Sequence, residues 1–239
     1  MSRAKMLLGI FVTVFAVGIC TAAFAASVTG LIKYEGEVPK FKEIKMDADP
    51  ICLSKHTSPT FPETLVTGDG NALANVFVYV KSGLAKKAYP APAEPVTLTQ
   101  EGCHYKPHVF GILVGQELKI LNPDGTLHNV HALSKANPEF NMAMPQFRKE
   151  ISKVFDKEEF MFPFKCDVHP WMASWCAVMP HPFFKVTATD GKFTISGLDA
   201  GTYEIEAWHE KLGAQTVTVT VGADETKEAD FIFTKPAKE

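Results

Sequence analysis

An all-β fold is predicted for this 239-residue chain. Period-2 stretches of four to eight residues recur along most of it, turn residues punctuate them, and no long amphipathic helix is evident. Short alternating strands at this spacing indicate a β-sandwich or barrel architecture. Hydrophobic residues make up 46% of the chain and charged residues 21%, which suits a folded protein and not a disordered one. With 24 Lys+Arg against 27 Asp+Glu, a net charge of -3 and no basic run, nucleic acid is not an expected partner.

The N-terminus is set apart from the fold. Arg3 and Lys5 precede an uncharged stretch from Met6 to Ala26, which ends in the small-x-small signal Ala23-Phe24-Ala25. This is the layout of a secretory signal peptide over residues 1–25, cut after Ala25. An uncleaved membrane anchor is the competing reading, because the stretch is just long enough to span a bilayer. Cleavage implies a periplasmic or secreted chain with no stable membrane insertion, in a compartment where disulfides persist.

The strands follow in order. Ser27–Tyr34, Asn75–Val80, Gly111–Val114, Glu117–Leu121, Thr202–Trp208 and Gln215–Val221 each alternate or run apolar. Gly68-Asp-Gly70, Asp124-Gly125, Asp190-Gly191 and Gly222 supply turns. Pro90-Ala-Pro-Ala-Glu-Pro95 reads as an exposed connector, and the charged stretch Phe147–Glu159 as a segment holding a helical turn.

One constellation carries chemistry. Cys166-Asp-Val-His169-Pro-Trp-Met172 is a C-x-x-H-x-x-M loop, and His128-Asn129-Val-His131 stands upstream of it. A thiolate, a thioether and imidazoles are soft-to-borderline ligands suited to copper, and His₂Cys with a weak axial Met is an electron-transfer ligand set. Hard cations would not select Cys and Met, and structural zinc does not usually take Met. The bland reading places Cys, Met and aromatic residues of strands in a core. His131 is offset from His128 by an odd number of residues, so on a regular strand it points the other way.

Here the sequence resembles the cupredoxins, the blue copper proteins, most nearly the amicyanin type and next the plastocyanin type. The resemblance covers about Pro95 to Pro182, including Pro107–Asn122 and the aromatic strand Phe160-Met-Phe-Pro-Phe164. It implies a Greek-key β-sandwich over residues 90–182 with one type 1 copper held by His128, Cys166, His169 and Met172. Asn129 would tie the two ligand loops together. His169 would be the solvent-nearest edge and electron port, ringed by Pro170, Trp171 and Pro145. The implied role is carriage of single electrons between redox partners such as a cytochrome or an oxidoreductase, with no catalytic residue. A copper-binding or delivery module without turnover, and a red-copper-like enzyme, are the alternatives. Leu127 departs from the pattern, since the relatives often have Pro there.

The other cysteines and histidines stay open. Cys52 and Cys103 read as a disulfide, with metal ligation through Cys52-x-x-x-His56 and Cys103-x-x-x-x-His108 as the rival. Cys176 reads as a buried free thiol. His181 with His209 is a weaker candidate for a second metal site. The stretch Thr189–Ala207 resembles carboxypeptidase regulatory-like domains, which have a transthyretin-like β-sandwich. The region after Phe183 is small for a core of its own. A discontinuous outer sandwich is therefore expected, from 26–84 with 183–235, with the cupredoxin unit inserted in it. A serial arrangement is the alternative. No H-E-x-x-H, G-x-S-x-G, P-loop or haem motif occurs.

Overall fold

In the computed structural model of the chain, residues 25–235 are described, and residues 1–24 of the expected signal segment lie outside them. The strands are β1 (Ala26–Glu35), β2 (Phe77–Ser82), β3 (Val96–Gln100), β4 (Tyr105–Lys106), β5 (Val109–Leu113) and β6 (Glu117–Leu121). They continue as β7 (His128–Ala132), β8 (Phe140–Met144), β9 (Glu150–Val154), β10 (Glu159–Lys165), β11 (Ala173–Met179) and β12 (Phe184–Val186). The last are β13 (Lys192–Leu198), β14 (Gly201–His209), β15 (Gly213–Val221), β16 (Thr226–Glu228) and β17 (Phe231–Thr234). A short α-helix, α1 (Pro50–Ser54), and a 3-10 turn at Asp69–Asn71 interrupt the connection between β1 and β2.

The fold is all-β, in four sheets. One orders β5-β11-β10-β7-β8 and faces a second ordered β4-β3-β6-β9. The other two are β13-β1-β16, with β17 also on β1, and β12-β2-β14-β15. Every ladder of β1 and β2 is with strands from β12 onward, and β3 to β11 pair only among themselves. The chain thus leaves one pair of sheets after β2, builds the other pair, and returns at β12.

Alternation explains how these sheets stack. In β2, Val78 and Val80 face one core, with Ile32, Phe193, Ile205 and Phe233, while Phe77 and Tyr79 face the opposite way. In β5, Phe110 and Ile112 enter the core shared with Leu118, Ile120, Phe162 and Phe164, while Val109 and Leu113 point outward. In β11, Cys176 and Val178 go inward and Ala177 and Met179 outward. The two outward faces meet in a third apolar cluster, where Phe77 stacks on Phe184 at 5.3 Å. Period-2 side chains on strands covered on both faces produce such a double commitment.

One expectation is corrected. Phe147–Glu159 holds no helical turn: Glu150–Val154 is strand β9, antiparallel to β6, and only a turn precedes it. Its alternation is hard to read because β9 lies at a sheet edge and places no residue fully inside. Cys52 lies in α1, where Asp49 caps the helix and Pro50 starts it.

Candidate metal centre

β7 and the β10–β11 connection bring three of the proposed ligands together. His128 opens β7 opposite Met144 of β8, and Cys166 follows directly on β10. The intervening loop is closed by its own backbone: Met172 N donates to His169 O at 2.9 Å, and Cys166 N to Met172 O at 3.4 Å. His128, Cys166 and His169 form a buried cluster with a ligand atom of each within 4.8 Å of the others. The His128 and His169 Nδ1 atoms lie 2.9 Å apart, with Cys166 Sγ 3.8 Å from His169 Nδ1. Met172 is buried in the same apolar cluster as Cys166.

Asn129 joins the two loops. Its Oδ1 accepts from the backbone N–H of Asp167 (2.6 Å) and of Val168 (3.3 Å). Its own N–H points to Cys166 Sγ at 3.5 Å. Tyr105, fully buried, donates its hydroxyl to Asn129 O at 2.5 Å, with Lys165 O 3.1 Å away, so it bridges the strands that carry the ligands.

The electrostatics favour a cation. Both imidazoles meet a carboxylate on Nε2: His128 meets Asp124 Oδ2 at 3.1 Å and His169 meets Asp49 Oδ2 at 3.0 Å. Ionised carboxylates only accept, so both Nε2 atoms donate and the two Nδ1 atoms are left facing each other. That arrangement is repulsive unless a proton or a metal ion lies between them. Burial resists charging of His128, yet Asp124 and Cys166 outweigh it and hold its pKa above the ordinary value. Burial works against ionisation of Cys166, but hydrogen bonds from His128 and from the backbone at Asn129 and His169 draw its pKa down. Burial also opposes the Asp124 charge, and His128 with the Cys103 and Gly102 amides overrides it, keeping the carboxyl ionised. The donor set therefore fits a soft-to-borderline metal ion held by thiolate and imidazole nitrogen.

Two further clusters, Asp49/Cys52/His169 and Cys103/Asp124/His128, adjoin the first. Their sulfurs belong to a Cys52–Cys103 disulfide and have no thiolate to give. Metal ligation by these cysteines, the rival reading of Cys52-x-x-x-His56 and Cys103-x-x-x-x-His108, is thereby removed. Cys176 is a buried free thiol, its pKa raised by burial.

His169 is not a solvent-facing port. It is only 3% exposed, because Asp49 covers its Nε2, Cys52 Sγ lies 3.5 Å from the same atom, and the Trp171 ring lies 5.1 Å away. Pro170 is exposed and Trp171 and Pro145 are half-buried, so they do not ring an open imidazole edge. His181 and His209 do not form a second centre. His181 packs by Tyr89 and Phe183, His209 by Phe233, and among the described residues no metal-sized cluster includes either. His131 turns away from the centre to Asp167 and Glu139.

Asp49 and Asp124 are the residues sequence reasoning missed. Asp124 stands in Asn-Pro-Asp-Gly, four residues before His128, and reads as a turn residue. Asp49 precedes Pro50 and carries the signal of a helix cap, but 120 residues separate it from His169.

No protein-family model and no curated protein matches the chain. Among solved structures it is similar to a copper-containing nitrite reductase from Thermus scotoductus SA-01, at 21% identity and TM-score 0.34, covering 42% of this chain and 26% of that one. The chain thus spans about a quarter of that enzyme's length. It is also similar to a methionine-to-alanine mutant of amicyanin with Cu(I), at 17% identity and TM-score 0.32, covering 43% of this chain and 98% of that one. A third is a purple cupredoxin from Nitrosopumilus maritimus, at 20% identity and TM-score 0.30, covering 35% and 99%. Each likeness is confined to under half of the present chain.

Proposed function

We propose that this chain is a cupredoxin-type electron carrier with one type 1 copper held by His128, Cys166, His169 and Met172. The observation that carries the reading is the buried meeting of two imidazole Nδ1 atoms with Cys166 Sγ, both Nε2 atoms being turned outward onto carboxylates. Copper there would supply a one-electron couple between Cu(II) and Cu(I). The chain's own residues do the rest. Asn129 locks one ligand loop to the other, its backbone N–H faces the thiolate, and Tyr105 and Phe164 lie fully buried in the same core as Cys166. Hydrogen bonds to the sulfur and a dry shell are the groups that tune such a site.

A carrier is favoured over an enzyme because His169 is enclosed and leaves no approach for a substrate at that ligand. Leu127 and Val168, each the residue before a ligand histidine, are exposed and offer apolar surface for brief docking of a redox partner. The Cys52–Cys103 disulfide supports a periplasmic or secreted location. Among the described residues no helix is long and apolar enough to cross a membrane. The outer pair of sheets is assigned as a carboxypeptidase regulatory-like sandwich built from 26–84 and 183–235, with the cupredoxin unit of 90–182 inserted in it.

The test is the optical and electron-paramagnetic spectrum of the chain with one equivalent of Cu(II). An intense thiolate-to-copper band with narrow hyperfine splitting is expected. A pale, ordinary Cu(II) spectrum would overturn the reading. Cys166→Ser is expected to abolish the intense colour, and Met172→Gln to keep copper while lowering the potential.

A further inference from the structure

The segment between β1 and β2 does more than connect strands. Met46 is buried in the core of the ligand-bearing sheets, and Asp49 N donates to Met46 O at 3.0 Å. The Asp49 carboxylate is then fully committed. Its Oδ1 accepts from the backbone N–H of Ile51 (2.8 Å) and Cys52 (3.3 Å), capping α1. Its Oδ2 accepts from Thr126 Oγ1 (2.9 Å) and from His169 Nε2 (3.0 Å). Asp124 is bound in the same manner, accepting from Gly102 N (3.0 Å), Cys103 N (2.7 Å) and His128 Nε2 (3.1 Å). The Cys52–Cys103 disulfide joins the peptide that Asp49 caps to the peptide that Asp124 holds. Trp171 Nε1 donates to Cys103 O at 3.0 Å and lays its ring by His169.

Resting on the copper reading above, we propose that Asp49 and Asp124, tied to each other through the Cys52–Cys103 disulfide, are an outer clamp for the centre. It holds both ligand imidazoles as Nε2–H tautomers with Nδ1 turned inward, and Asp49 is the positioning residue that also shuts the His169 edge. The tautomer of a ligand histidine is set by the bond its other nitrogen makes. Here that bond is accepted by a carboxylate which is itself immobilised by two backbone amides, with the Thr126 hydroxyl added at Asp49, so neither ring turns without breaking several bonds at once. Asp49 acts through His169 and touches no metal ligand atom of its own.

The experiment compares the natural chain with Asp49→Ala, Asp49→Asn and the double variant Cys52→Ser with Cys103→Ser. Nitrogen-15 spectra of the histidines in the metal-free protein read the tautomer directly, and competition with a chelator reads Cu(II) release. The natural chain is expected to show His169 as a single Nε2–H tautomer. Asp49→Ala is expected to mix the tautomers and weaken Cu(II) binding about ten- to a hundredfold, the usual effect of losing such a partner. Asp49→Asn keeps an acceptor oxygen and is expected to restore the tautomer. The double variant, still folded by its amide spectrum, is expected to resemble Asp49→Ala because the strap is no longer anchored. A single unchanged His169 tautomer in Asp49→Ala, with Cu(II) release within twofold of the natural chain, would overturn the clamp. If the natural chain takes up no Cu(II), the copper reading falls, and the histidine spectra alone still decide the clamp.

Discussion

His209 shows how a single buried side chain sets a pH response. It is 1% exposed, its Nδ1 accepts from Lys211 N at 3.2 Å, and its Nε2 has no partner. Burial, against the pull of Glu210, lowers its pKa to about 4. The unfolded chain therefore takes up a proton near pH 6.5 that the folded chain refuses until about pH 4. Stability carried by neutral His209 is complete above pH 6.5 and is lost as the pH falls toward 4, by about 3 kcal/mol over that window. His108 acts in the opposite sense. Burial opposes its charge, but Glu210 and Glu63 raise its pKa above the ordinary value, so its contribution is present in acid and fades as the pH rises through that raised value. His209→Asn keeps an acceptor for Lys211 N and is expected to flatten the acid limb, measured by urea unfolding between pH 7 and pH 4. An unchanged slope would remove His209 as its source.

Tyr105 belongs to the same order of detail. Its hydroxyl bond to Asn129 O spans the strands that present His128 and Cys166. Replacing it with Phe leaves buried carbonyls short of a donor, at a cost of about 1–3 kcal/mol. A thermal-unfolding comparison with the natural chain checks this, and no loss would show that the carbonyls are satisfied elsewhere.

Among the elements, β2, β5 and β11 have a demanding position, because each commits side chains to a core on both faces. Gly111 in β5 lies tight against the outer pair of sheets. A Cβ there would stand 2.4 Å from the Phe184 ring and 2.8 Å from the Phe77 ring. The glycine is thus required by approach and not by backbone angle. Gly111→Ala is expected to push these stacked rings apart and cost about 1–3 kcal/mol. Because β5 pairs with β11, which leaves the ligand loop, the same variant also tests whether the ligand-bearing sheet feels the outer one. Calorimetry and the copper spectrum, taken together, give both answers. The helix α1 is the contrasting case: five residues long, it is held by the Asp49 cap and the Cys52 bond to Cys103, not by an apolar face of its own.

For the molecule as a whole, the covalent link between residues 52 and 103 joins the connection after β1 to the turn before β4, across a sequence separation of 51. It fastens a segment outside the ligand-bearing sheets onto their site. Reduction is expected to cost about 2–4 kcal/mol through the freedom it returns to the unfolded chain. Comparing denaturant midpoints with and without a dithiol reductant measures this. A midpoint that does not move would mean the strap is held by Met46 and the Asp49 bonds alone.

The sequence by itself determined the all-β class, the spacing of the cysteine-histidine-methionine loop and the aromatic strand before it. Those signals are local: alternation commits each side chain to a face within a few residues, and a loop of seven residues cannot scatter its members far. The role of Asn129 was legible only through the resemblance to the cupredoxins, which carries it onto the residue after His128. What only the tertiary structure decided concerns partners far apart along the chain. Asp49 reaches His169 across 120 residues, and a helix cap looks the same in sequence whether or not its second oxygen holds an imidazole. The strap it rides on turned an expected solvent edge at His169 into a covered one. The strand β9 escaped notice because an edge strand buries too little to impose a clear period. Long-range closure of this kind depends on which surfaces meet when the sheets stack, and no residue's own neighbours record that.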